Sequence, residues 1–289
     1  MYHFDWAVLW QYLWPPTAFQ DPLIRTGLIV TVVVSVVAQA LGVILGLFAA
    51  LGKMSKFVPF RVLAEAYIWY FRGTPLLVQM ALMFFGLGVT HIYDFPDILV
   101  CAPAAGAPLL TVSAHSVQVL CNATTVDSPL ILIIGAIQAG TLALGINEGA
   151  YMAEIVRAGI ESIDPGQMEA AKSLGMTFAM AMRRIVLPQA AKVIVPPLGN
   201  EFNNMMKTTS LMEYISAGEL FFAFNQINTR LFQPFELFIA ASMYYLVLTT
   251  IWSVIQVRIE ASLGERKGME RGPGMFERIF SGSFGKGAH

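Results

Sequence analysis

"LIVTVVVSVVAQALGVILGLFAAL", residues 28–51, contains no charged side chain. The hydrocarbon core of a bilayer is about 30 Å thick and takes roughly 20 helical residues to cross, so this run is long enough to span. Gly42 and Gly46 stand four residues apart, on one helical face, where small residues admit a second backbone. Chance placement in a glycine-rich apolar helix accounts for them equally well at this stage.

Four further apolar runs follow, at about 59–87, 130–154, 185–206 and 235–257. The whole chain is 56% hydrophobic and 13% charged, against about a quarter charged in ordinary soluble domains. The composition therefore predicts an all-α polytopic membrane protein with five spans and its termini on opposite sides. A net charge of −1 gives nucleic acid no electrostatic purchase. His3, His91, His115 and His289 show no metal-ligand spacing, and two cysteines alone do not make a structural zinc site.

Orientation follows from the basic residues, which favour the cytoplasmic side. With the N-terminus outside, the inner segments hold Lys53, Lys56 and Arg61, then Arg157, Lys172, Arg183 and Arg184, then the basic C-terminal tail. The outer loop 91–129 holds no Lys or Arg, and 208–234 holds Arg230 alone. The N-terminal "MYHFDWAVLWQYLWPP" lacks the basic start of a cleaved leader. Its tryptophans and tyrosines suit the headgroup level, which predicts a short interfacial helix over 1–16, stopped at Pro15 and Pro16. Cys101 and Cys121 share the outer loop, where a disulfide persists; a bridge is expected, with two free thiols as the alternative. These readings divide the chain into an interfacial segment 1–16, a five-span transmembrane region 22–261 and a basic tail 262–289, which lies on anionic lipid, touches a partner or is disordered.

One cytoplasmic stretch carries the signals of a short helix, although taken alone an ordinary connector accounts for it better. In "PGQMEAAKSLGMTFAMAMRRIVLP", residues 165–188, Asp164 can cap a helix, Pro165 suits its first position and Gln167 completes an Asp-x-x-Gln capping box. Gly175 can end it. Helices this short are marginal in water, so a membrane surface or a partner is expected to hold it, and Ala170 and Ala171 at its surface would let another backbone come close.

"EAA" at 169–171, Gly175 four residues later and "IVLP" at 185–188 resemble the EAA signature of permease subunits in bacterial binding-protein-dependent ABC importers. "YFRGTPLLVQ" (70–79), "AYMAEIVRAGIESIDPGQMEAAKSLGM" (150–176), "PPLGNEF" (196–202) and "KTTSL" (207–211) look like the polar amino-acid branch, the histidine/glutamine permease type. The resemblance covers about 27–257; the long outer loop 91–129 and the extended tail depart from it. It implies the five-helix fold of a type I ABC importer permease with a cytoplasmic coupling helix at 165–175. Glu169, Ala170, Ala171 and Gly175 would dock that helix into a separate ATPase subunit. It also implies a second permease subunit, identical or homologous, a soluble substrate-binding protein outside, and residence in the bacterial inner membrane. No cofactor is expected on this chain; ATP and Mg belong to the ATPase. No G-x-x-x-x-G-K-[ST] phosphate loop is present, and "GSFGKGAH" has the wrong spacing, so the chain is not expected to be an enzyme.

Charges inside spans are costly and mark function by default. Arg72 lies about 13 residues into the second run, roughly 20 Å from its cytoplasmic end. Pro75 opens the turn at Arg72–Thr74, and broken helices at depth commonly line transport sites. A guanidinium there suits the carboxylate of an amino acid; permanent pairing with Glu148 is the alternative. Asn200, Asn203, Asn204 and Lys207 follow i, i+3, i+4, i+7 and predict one polar stripe. Gln138, Thr141, Gly145 and Glu148 share another face, and Asn147, Tyr151 and Glu154 a third. Arg72, Thr74, Gln138, Thr141, Glu148, Asn200 and Asn204 are the candidate substrate residues. Interhelical hydrogen bonding explains any one of them equally well. Lys207 reads as snorkelling to the interface. A transporter driven by an ion gradient is the alternative function, and a non-transporting scaffold a weaker one.

Overall fold

Asp5 caps α1 (Trp6–Leu13): its carboxylate accepts from the amides of Ala7 and Val8, as N-cap residues do. The computed structural model describes residues 4–87 and 129–262, and these residues form helices joined by short turns, with no strand among them. Trp6, Trp10 and Trp14 lie exposed along one side of the N-terminal segment. Leu9 and Tyr12 turn the other way and pack with Leu220, Phe224 and Leu237. Pro15 and Pro16 do not merely stop the chain there. They open a further short helix, α2 (Pro15–Ala18), because the first helical turn has no use for the N–H that proline lacks.

α3 (Pro22–Lys53) is capped by Asp21 and opened by Pro22. α3 and α11 (Pro234–Ser262) are long and apolar enough to cross a bilayer by themselves. Their outer faces leave Val33, Val36, Ile44 and Phe48, and Leu246, Val247, Ile251 and Val254, exposed. Apolar surface of this extent marks a lipid or partner-facing side. Between them, α4 (Val58–Gly73) and α5 (Leu76–Ala81, widening into a π-helical stretch Leu82–Leu87) form one broken unit. α6 (Pro129–Glu161) extends one to two turns past the apolar run read from sequence.

Gly42 and Gly46 are explained by α6. A Cβ on Gly46 would stand 2.3 Å from the Met152 Cβ and 2.9 Å from the Ala153 amide nitrogen. A Cβ on Gly42 would stand 2.6 Å from the Glu148 Cγ. α6 returns the fit with Gly145 against Leu41 and Gly149 against Leu45. Backbones this close gain dispersion energy along their whole length, which is what holds helices together where lipid removes the hydrophobic drive. At the end where α3 finishes, Lys53 and Arg157 both bind Glu154, and Arg157 also reaches Glu161. Glu154 therefore ties α3 to α6.

A tight turn leads to α7 (Pro165–Ser173), then α8 (Phe178–Ala181), a π-helical stretch Met182–Val186, and α9 (Leu187–Thr208). Residues 208–234, read from sequence as a loop, are ordered: a 3-10 turn, Thr209–Ile215, is followed by α10 (Leu220–Leu231). Glu219 caps α10 through the amides of Phe221 and Phe222 and accepts a hydrogen bond from the Tyr245 hydroxyl on α11. Cys101 and Cys121, and the tail from 263 onward, lie outside the described residues.

Candidate functional site

Pro75 has no N–H, so the carbonyl of Phe71, four residues back, loses its helical donor. α4 ends at Gly73, and Thr74 and Pro75 take extended conformations. In lipid an unserved carbonyl costs several kcal/mol. Three side chains meet the need. Thr74 donates its hydroxyl to the Tyr70 carbonyl at 2.8 Å. Gln79 donates to the Phe71 carbonyl at 2.9 Å and to Thr74. Asn147, on α6, donates to the same Phe71 carbonyl at 3.0 Å and to the Gln79 amide oxygen at 3.0 Å. The break is thus pinned to α6 rather than left loose.

Beside it opens a cavity of about 280 Å³ between α5, α6 and α9. Asn147, Glu148 and Tyr151 line it from α6, Glu201, Asn204 and Thr208 from α9, with Leu76, Leu144, Met205 and Leu211 as apolar wall. Glu148 is buried, with 6% of its surface exposed, and accepts a hydrogen bond from the Gln39 amide at 3.1 Å. Glu201 makes no hydrogen bond or ion pair among the described residues. The cavity is therefore apolar walled, carries two carboxylates, and is bounded by a fixed helix break.

Of the residues read from sequence, Glu148 and Asn204 line this cavity. Arg72 does not pair with Glu148. It lies exposed in the last turn of α4, with its guanidinium 5.3 Å from the ring centre of Tyr151, a cation–π stack against a cavity residue. Thr74 is occupied in the helix break. Gln138 and Thr141 are partly buried on α6 outside the cavity lining, and Thr141 turns its hydroxyl back to the Ile137 carbonyl. Asn200 accepts from Gln256 of α11 at 3.1 Å, and Asn203 donates to Ser253 at 3.3 Å. The expected single stripe on α9 is therefore divided: Asn200 and Asn203 serve the α9–α11 contact, and Asn204 serves the cavity. That contact is close, since a Cβ on Gly199 would stand 2.7 Å from the Gln256 side chain, and the Trp252 indole donates to the Gly199 carbonyl at 2.8 Å.

Asn147, Tyr151, Glu201 and Thr208 were not among the sequence candidates for the substrate site. Glu201 carried a signal: an acid inside an apolar helical run meets the same criterion as Arg72.

The second feature is α7. Asp164 caps it through the Gly166 amide at 2.9 Å. The reciprocal side-chain bond expected of Gln167 is not made among the described residues; its backbone amide bonds to the Asp164 carbonyl instead. The helix ends at Gly175, whose φ of +80° is left-handed, with the Met176 amide reaching back to the Ala171 carbonyl, a glycine-dependent stop. Glu169 and Ala170 are exposed, but Ala171 is 1% exposed and faces the protein, not the surface. Helix periodicity forces this, since neighbours are 100° apart. The free face includes Leu174, 82% exposed, and beyond the turn Phe178, 61% exposed. Large apolar side chains this bare on a polar end of the molecule are unusual unless something covers them.

The protein family described as "Binding-protein-dependent transport system inner membrane component" matches residues 42–265. The arginine transport system permease protein ArgU of Corynebacterium glutamicum is 37% identical over 241 residues, covering 83% of this chain and 68% of that protein. The L-cystine transport system permease protein TcyB of Bacillus subtilis is 32% identical over 259 residues, covering 89% and 91%. A crystal structure of an amino acid ABC transporter with histidines superposes with a TM-score of 0.67 at 36% identity, covering 86% of this chain and 97% of that one.

Proposed function

The chain belongs to the family of binding-protein-dependent transport system inner membrane components, and we propose that it is the permease subunit of an ATP-driven importer of amino acids. Relatives named for arginine and cystine transport support the substrate class. They favour this reading over a transporter driven by an ion gradient. The observation that carries it is α7: a capped, glycine-terminated helix that buries Ala171 and offers Glu169, Ala170 and Leu174 outward.

In this reading α7 is a handle for an ATPase on another chain. Met168 of α7 packs with Val156 and Ile160 of α6 and Ala190 of α9, which couples α7 to both helices. Movement of the handle then moves both walls of the cavity. ATP would draw two such handles together, in this chain and in a second permease subunit, and open the cavity outward; hydrolysis would reverse it. A soluble binding protein would deliver the amino acid on the outer side. The distribution of basic residues supports a cytoplasmic α7 and an outer N-terminus. ATP and Mg would be held by the ATPase, and no covalent chemistry falls to this chain. Arg72 would meet the substrate carboxylate at the cavity mouth.

The test is co-purification with the cognate ATPase. Glu169→Arg or Leu174→Asp is expected to abolish association while the permease still inserts and purifies. Undiminished association of both variants would refute the role given to α7.

A further inference from the structure

The reading above leaves the side chain of the amino acid open. The charges around the cavity bear on it. Glu148 of α6 and Glu201 of α9 face the same space of about 280 Å³. Neither forms an ion pair among the described residues: Glu148 has the neutral Gln39 amide, and Glu201 is half-buried without a partner. Among the described residues, the one cation in contact with the lining is Arg72, stacked on the Tyr151 ring. Lys207, although on α9, faces a different groove with Phe221 and Tyr245.

Resting on the importer reading, we infer that this cavity takes an amino acid with a cationic side chain, its carboxylate toward Arg72 and its two positive groups toward Glu148 and Glu201. The α-carboxylate and α-ammonium of any amino acid cancel Arg72 and one glutamate. A neutral side chain would then leave the second carboxylate facing a desolvated ligand, and an unpaired buried charge costs several kcal/mol. An acidic side chain would add a third negative charge. A cationic one cancels the remaining charge, and it also relieves the repulsion between two carboxylates on one cavity. At about 280 Å³ the cavity lies just under the roughly 300 to 1,000 Å³ of small-molecule pockets, so it suits one amino acid and not a peptide. Asn204 and Thr208 sit on the same wall as Glu201 and offer polar contacts along a long side chain. Asn147 is committed to the helix break, so it contributes shape more than charge.

The test compares arginine with citrulline, which has the same outline and no charge. The full chain, assembled with its ATPase in lipid nanodiscs and without binding protein, is titrated with radiolabelled arginine and then with citrulline as competitor. Arginine and lysine are expected to bind at least about tenfold more tightly than citrulline, because one buried charge pair is at stake. Glu201→Gln is expected to weaken arginine about tenfold or more and to leave citrulline unchanged, closing the gap. Citrulline binding as tightly as arginine on the native chain would overturn the inference, and would leave the importer reading intact if binding protein still stimulates ATP hydrolysis. Absence of binding by every amino acid tried, together with no stimulation of hydrolysis, would overturn the inference and the reading beneath it.

Discussion

Asn147 donates a 3.0 Å hydrogen bond to the carbonyl of Phe71, the acceptor that Pro75 cannot serve. A side chain on one helix thus repairs a break in another, and the repair fixes the wall of the cavity beside it. Losing a partner from a buried polar group costs about 1–3 kcal/mol. Asn147→Leu is therefore expected to lower the thermal unfolding temperature of the purified protein and to abolish transport, and Gln79→Leu to do the same. Scanning fluorimetry in detergent checks the first effect; unchanged melting of both variants would mean that the break is not held this way.

The α3–α6 contact depends on the absence of side chains. Gly46→Val would force a methyl against Met152 and the backbone of Ala153. Overpacking costs typically 1–3 kcal/mol and more where backbone is the obstacle. Gly73→Ala is the control, since a Cβ there meets nothing within 4 Å. Loss of folded protein is expected for the first and near-normal yield for the second, read by size-exclusion profile.

Gly175 holds φ at +80°. A left-handed conformation costs an ordinary L-residue about 1–2 kcal/mol, and asparagine less. Gly175→Val is expected to loosen the end of α7 and to weaken ATPase association, with Gly175→Asn intermediate. Equal association across glycine, asparagine and valine would show that the end of α7 does not position the handle.

Glu219 is fully buried and binds two amides of α10 and the Tyr245 hydroxyl. Hydrogen bonds to charged groups are worth about 1.5–3 kcal/mol. Tyr245→Phe is expected to lower stability by that order and to raise hydrogen exchange in α10 first. Exchange that rises evenly over the whole chain would count against a local clamp.

Much of this was legible from sequence because apolar runs and a proline speak locally. Residues 28–51 announce a span, and Pro75 announces a break. What repairs the break is not local: Gln79 and Asn147 are brought to Phe71 by packing of α6. The division of the α9 stripe has the same origin, since Gln256 and Ser253 on α11 claim Asn200 and Asn203. Arg72 was singled out by its charge, yet whether it would meet Glu148 or Tyr151 depends on how α4 turns against α6. α10 escaped because it is short and carries Asn225, Gln226, Asn228 and Thr229, so its apolar face, with Phe224 and Ile227 buried, does not stand out as a run.

The most direct measurement of the central claim is ATP hydrolysis by this chain reconstituted in proteoliposomes with its ATPase and its binding protein. Hydrolysis is expected to rise with one amino acid, only when the binding protein is present, and to lose that response in Glu169→Arg. Hydrolysis indifferent to amino acid and binding protein, with uptake driven instead by an ion gradient, would contradict the account.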